Sequence, residues 1–78
     1  MSLRRNVAEN LRTTRLRKKL SQEEVAGRSC LSVSYVSMLE RGMRVPPLDT
    51  LEALAKALDV HPVELLREVA RGVRRIGP

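Results

Sequence analysis

At 78 residues the chain has room for one small domain and no second, and its 42% apolar content is enough to fold one. A single Cys30 excludes an internal disulfide, and with only His61 beside it there is no Cys/His cluster for a zinc site, so no metal is expected. Fifteen Lys and Arg against nine Asp and Glu give a net charge of +6, while one tyrosine without Phe or Trp argues against an aromatic platform for single strands. The charge is uneven: net +6 over residues 1–20, −3 over 21–66 and +3 over 67–78, a pattern of basic ends suited to a polyanion. No apolar run approaches the ~20 residues of a membrane span, and the first 20 residues lack the apolar stretch of a signal peptide. A reducing cytoplasm is the expected location, without a membrane partner.

The pattern predicts five helices and no strand. The first runs over about residues 3–18, where Leu3, Val7 and Leu11 recur at four-residue spacing. Ser21 and Glu24 form a Ser-x-x-Glu capping box, opening a second helix that ends near Ser29. Ser32 caps a third, which runs to Arg41 and stops at Gly42, a residue suited to a left-handed exit. Val25, Leu31, Val36 and Leu39 are spaced to point inward where the two short helices cross, and Ala26 is small where they approach. Two short capped helices across a tight turn, residues 21–41, are the anatomy of a helix-turn-helix, whose second helix enters the major groove of DNA. Pro46 and Pro47 fix the loop that follows. A fourth helix spans about 48–58 on an apolar face of Leu51, Leu54, Ala55 and Leu58, and breaks at Asp59 and Val60. His61 caps a fifth, with Pro62 in its first turn, predicted to run to about Arg74.

Within the third helix, Val36 and Leu39 face in, so Val33, Ser34, Ser37 and Met38 are the side chains that can reach base edges. The set holds no Arg, Asn or Gln for bidentate readout, so DNA shape or deformability is expected to carry much of any specificity. Tyr35 flanks it and can donate its hydroxyl to a phosphate. Arg41 and Arg44, around Gly42, suit phosphate contacts. No serine has a base at a recognisable spacing and there is no Gly-rich phosphate loop, so neither an enzyme nor a cofactor is expected.

The order of signals from Leu11 to Leu66 resembles the Cro/CI-type, or XRE-like, family of helix-turn-helix regulators. The matching pieces are Leu11-Arg12-x-x-Arg15, Leu20-Ser21-Gln22-Glu23-Glu24-Val25-Ala26, Leu31-Ser32-x-x-Tyr35-Val36-Ser37-x-Leu39-Glu40-Arg41-Gly42, Arg44-x-Pro46 and Leu51-x-x-Leu54-Ala55-Lys56-Ala57-Leu58-x-Val60. The resemblance implies a compact five-helix, lambda-repressor-like, all-α domain over residues 1–78. Its length and extra C-terminal helix look like stand-alone regulators of the restriction–modification controller kind. The resemblance further implies that Gln22 bonds a phosphate at the second helix's N-terminus and that the loop with Arg41 and Arg44 lies on the DNA backbone. Arg12 and Ser32 join the phosphate-contact set, and Arg15 and Glu40 match a structural pair bridging the first and third helices. The family usually has glycine where this chain has Lys19, Cys30 and Asp59. A left-handed backbone there costs roughly 1 kcal/mol per non-glycine residue, less for Asp. Thr14 stands where the family often has an apolar residue, and Leu16 then points outward.

Leu66, Val69, Val73 and Ile76 are spaced three, four and three apart, a seam on a helix over about 62–76. It is expected to dimerise the chain and match a two-fold operator; the alternative is that Leu65, Leu66 and Val69 cover the core. The functional expectation is a homodimeric transcriptional regulator binding double-stranded DNA, with no small-molecule ligand. An antitoxin-type interaction module that buries a toxin and autoregulates its operon is the alternative.

Overall fold

The computed structural model describes residues 2–69. Among these the chain forms α1 (Leu3–Arg17), α2 (Gln22–Ser29), α3 (Val33–Glu40), α4 (Leu48–Leu58) and α5 (Val63–Leu66), and no strand. α1 packs on α3 and α5, α2 on α3 and α4, and α4 on α5. The packing closes around Val7, Leu11, Val25, Ala26, Val36, Leu39, Leu51, Leu54, Ala55, Leu58 and Leu65, with Leu20, Leu31, Tyr35, Val60 and Leu66 packed against them. The apolar stripe of α1 starts at Val7; Leu3, one turn earlier, is 54% exposed. Thr14 is buried on α1 and Leu16 exposed. No helix among the described residues is long and apolar enough to cross a membrane.

Three serines start three helices. Ser2 Oγ accepts the Arg5 N–H at 3.3 Å, and Ser32 Oγ accepts the Tyr35 N–H at 3.1 Å. At α2 the capping box is complete: Ser21 Oγ accepts the Glu24 N–H at 3.0 Å, and Glu24 Oε1 accepts the Ser21 N–H at 2.8 Å. Each such cap contributes on the order of 1 kcal/mol.

The exits of α1 to α4 share one geometry. Lys19, Cys30 and Asp59 have φ of 61°, 60° and 59°, and Gly42 has 75°. After each, the next N–H reaches back five residues: Leu20 to Arg15 O, Leu31 to Ala26 O, Met43 to Met38 O and Val60 to Ala55 O, at 2.9–3.1 Å. This is the long-range bond of a Schellman ending, which satisfies carbonyls that a helix end leaves open. α1, α2 and α4 thus keep the turn that the resemblance associates with glycine, at the steric cost of a Cβ. A Cβ on Gly42 would meet only Ala8 Cβ, at 3.8 Å, so its dihedral angle rather than space requires glycine.

The fifth helix departs from the sequence expectation. It starts at Val63 with Pro62, not His61, as its N-cap, so Pro62 precedes the first turn; His61 Nδ1, one residue further out, accepts the Val63 N–H at 3.1 Å. It then ends at Leu66, and Arg67 is extended at φ −61° and ψ 146°. The cause is a tertiary contact: Asn10 Nδ2, on α1, donates to Leu65 O at 3.2 Å and to Arg67 O at 2.7 Å. The Arg67 carbonyl is drawn toward α1 rather than along a helix axis. Leu66 and Val69 therefore do not share one helical stripe. Leu65 is fully buried and Leu66 packs against the core, while Val69 is half-buried. Val73 and Ile76 lie outside the described residues.

Candidate nucleic-acid interface

The interface candidates are the starts of α2 and α3, the outer face of α3 and the loop after it. At α2 the capping box takes up the Ser21 and Glu24 N–H groups, and the Val25 N–H bonds Ser21 O at 3.1 Å. The backbone N–H groups of Gln22 and Glu23 have no partner among the described residues. They point out of the positive end of the helix dipole, where an anion is favoured. At α3, Ser32 Oγ accepts from Tyr35, which leaves its hydroxyl proton free to donate.

On α3 the buried residues are Val36, Leu39 and Glu40. At 100° per residue, Val33, Ser34, Ser37 and Met38 share an arc of about 140° outside the buried one, with Arg41 within it and Val33 next to Glu40 at its edge. Val33 is 40% exposed, Ser34 is exposed, and Ser37 and Met38 are half-buried. Tyr35 lies at the edge, its body packed against the core. The structure therefore brings together the four side chains expected to reach base edges. Arg41 is exposed and its Nε lies 3.4 Å from Ser37 O. Arg44, in the loop behind Gly42, is exposed, as is Arg12 on α1; neither side chain has a partner among the described residues.

Beneath this face lies a polar cluster. Arg15 Nε donates to Glu40 Oε2 at 2.6 Å, and Arg15 Nη2 to Glu40 Oε1 at 3.0 Å. Their side chains are 10% and 3% exposed, so the pair is bidentate and shielded. Arg15 Nη1 donates to Leu20 O at 2.8 Å, and Gln22 Nε2 donates to Glu40 Oε1 at 3.0 Å. The pair thus joins α1 to α3 and also holds the turn into α2. Two further links have no counterpart in the sequence reading: the grip of Asn10 on α5, and Arg28, which reaches Ala57 O near the end of α4 at 3.4 Å. The signal for the first is Asn10 itself, an amide next to Leu11 on the inward side of α1.

A charge perturbation lies at the end of α5. The hydrogen bond from Arg67 holds the exposed Glu64 carboxyl below its ordinary pKa, and the same bond raises that of Arg67. No group of three or more His, Cys, Asp or Glu able to hold a metal occurs among the described residues. Cys30 is exposed at the α2–α3 turn.

Comparison with known proteins agrees with this architecture. Residues 11–65 match the family described as helix-turn-helix. The HTH-type transcriptional regulator y4dJ of Sinorhizobium fredii is 48% identical over 66 residues, spanning 85% of this chain and 86% of the relative. The restriction–modification controller protein C.AhdI of Aeromonas hydrophila superposes with a TM-score of 0.77 at 44% identity, covering 80% of this chain and 94% of its own. A controller protein solved as a tetramer on its natural 35-base-pair operator, C.Esp1396I, gives 0.75 at 31% identity, over 86% and 99% of the two chains. With an all-helical fold, a matched helix-turn-helix and these relatives, the chain belongs to the Cro/CI-type (XRE-like) helix-turn-helix family of transcriptional regulators.

Proposed function

We propose that the chain binds double-stranded DNA sequence-specifically as a homodimer, with α3 in the major groove. The observation that carries this reading is that one helix pair carries both unpaired backbone donors at the start of α2 and an outer α3 face of Val33, Ser34, Ser37 and Met38 that is exposed or half-buried. Val33, Ser34, Ser37 and Met38 address base edges. Gln22, Ser32, Tyr35, Arg12, Arg41 and Arg44 hold phosphates, which fix the register of α3 but carry no sequence information. The likeness to C.Esp1396I, solved on its operator, supports the DNA partner. Val33 can touch a thymine methyl and the serines can bond either base type, so deformability of the site supplies the remaining discrimination. Dimerisation is assigned to the α5 end, where Val63 is 49% exposed and Val69 is half-buried. Two copies place their recognition helices about one DNA turn apart, ~34 Å.

The test is a salt titration of binding to duplexes selected from a random library. Wild type should give a steep log–log slope, with each phosphate neutralised by a cation contributing about 0.9. Arg44→Ala should weaken binding to every sequence about equally and reduce the slope by roughly 1 for each phosphate left without its arginine. Ser34→Ala or Met38→Ala should instead shift base preference by about 1 kcal/mol. A flat salt dependence, or unchanged preference in both α3 variants, overturns the reading. Sedimentation velocity of wild type and of Val63→Glu/Val69→Glu tests the dimer: the double variant should be monomeric at a concentration where wild type is not.

A further inference from the structure

We infer that Glu40 is a positioning residue for phosphate binding at the start of α2, acting through the side-chain amide of Gln22. The inference rests on the proposed DNA contact of α2. Glu40 Oε2 accepts from Arg15 Nε, while Oε1 accepts from both Arg15 Nη2 and Gln22 Nε2. A carboxylate paired with arginine is an acceptor only. It can therefore take the nitrogen of the Gln22 amide and not its oxygen, which decides which way round the amide sits.

That orientation has a consequence for the ligand. One Nε2 hydrogen points at Glu40 and the other remains free. That hydrogen and the unpaired backbone N–H groups of Gln22 and Glu23 are the donors left at the start of α2, and the inference is that they serve one anion. An amide free to rotate would instead turn its carbonyl oxygen outward part of the time, and a carbonyl oxygen repels phosphate. Arg15 fixes the other side of the same turn by donating to Leu20 O, two residues before Gln22. The buried pair thus sets both the path of the chain into α2 and the polarity of the side chain that α2 presents. Gln22 is neutral and releases no counterion, so its contribution appears in affinity and not in salt dependence.

The experiment uses the full chain and a 20-base-pair duplex of fixed mixed sequence, read by fluorescence anisotropy at low salt. Gln22→Ala and Glu40→Gln should each weaken binding on the order of tenfold per protomer, as expected for a hydrogen bond to a charged group. The double variant should be no weaker than Gln22→Ala alone, because Glu40 acts on phosphate only through the Gln22 amide. Gln22→Ala should leave the salt slope unchanged. Additive losses overturn the inference. So does a Glu40→Gln protein that binds more tightly with a steeper slope, since Arg15 released from its pair would then be the phosphate ligand. Wild type that binds no duplex at low salt overturns the proposed function and this inference with it. Wild type that binds and is weakened by Gln22→Ala but not by Glu40→Gln overturns this inference alone.

Because Glu40→Gln removes a buried charge, a second measurement needs no variant. In the NMR spectrum of the free wild type, one Nε2 proton of Gln22 should be shifted downfield and protected from exchange with water. Adding the duplex should move the other proton. Two Nε2 protons that both exchange at a solvent-exposed rate in the free protein overturn the inference.

Discussion

The α2–α3 pair and the α5 end of the molecule are built on different principles. In α2 and α3, neighbours in sequence dictate the structure: Ser21 with Glu24, Ser32 with Tyr35, and a left-handed residue at each exit. α5 has a local start at His61 and Pro62, but its end is set from α1, by an amide 55 residues away from Leu65. Local rules leave a trace in any single sequence, whereas a contact from a distant helix leaves almost none. The difference also separates their stabilities. The helix pair has the shielded Arg15–Glu40 bridge beneath it, while the ion pair at the α5 end, Arg67 with Glu64, is exposed and contributes little.

The strongest way to break this contrast is to remove the bridge. Glu40→Ala strands the Arg15 guanidinium at a shielded position and should lower unfolding free energy by about 3 kcal/mol. Denaturant melts measure it; a loss of a few tenths would mean that water screens the pair. Asn10→Ala tests the other region. It frees the carbonyls of Leu65 and Arg67 and should cost about 1–2 kcal/mol for two hydrogen bonds. Hydrogen exchange should rise in α5 while α2 and α3 keep their protection, and a uniform rise across the chain would show that α5 is not separately held. The smallest effect has the opposite sign. Cys30→Gly relieves the Cβ strain at φ 60°, partly offset by the entropy that glycine adds to the unfolded chain. A gain of roughly 0.5 kcal/mol, or about 2–4 °C in Tm, is expected by calorimetry. Asp59→Gly should gain less, since Asp tolerates the left-handed region better.

Particular residues mark how far the sequence can be read. The starts of α1 to α4 agree with cap and spacing signals, and Val25, Val36, Leu39, Leu51, Leu54 and Leu58 are buried as their periodicity requires. The left-handed turns at Lys19, Cys30 and Asp59 are legible only through the family pattern, because none of these residues favours that backbone as glycine does. Leu3 fits the four-residue spacing yet is exposed, since periodicity fixes a face but not how far the core extends along it. A continuation of α5 to Arg74 follows from apolar spacing alone. That spacing carries no information about Asn10, and the helix ends at Leu66. On the interface, the outward set on α3 follows from which neighbours face in. The link from Gln22 to Glu40 does not, because it joins residues 18 apart across two helices.

The bond from Asn10 to Leu65 and Arg67 also orders events in time. During synthesis α1 to α4 precede α5, so the α2–α3 pair is complete in sequence before the residues that finish the core. Leu65, which is fully buried, arrives with that last segment. Closing a loop of this length carries an entropic cost that rises only slowly with its size, but the closure must wait for the chain. A nascent chain halted before residue 65 would hold α3 over a core that still lacks Leu65 and Leu66. The amide on α1 therefore acts as a latch for the C-terminal segment, and completion of the fold is tied to completion of translation as far as Arg67.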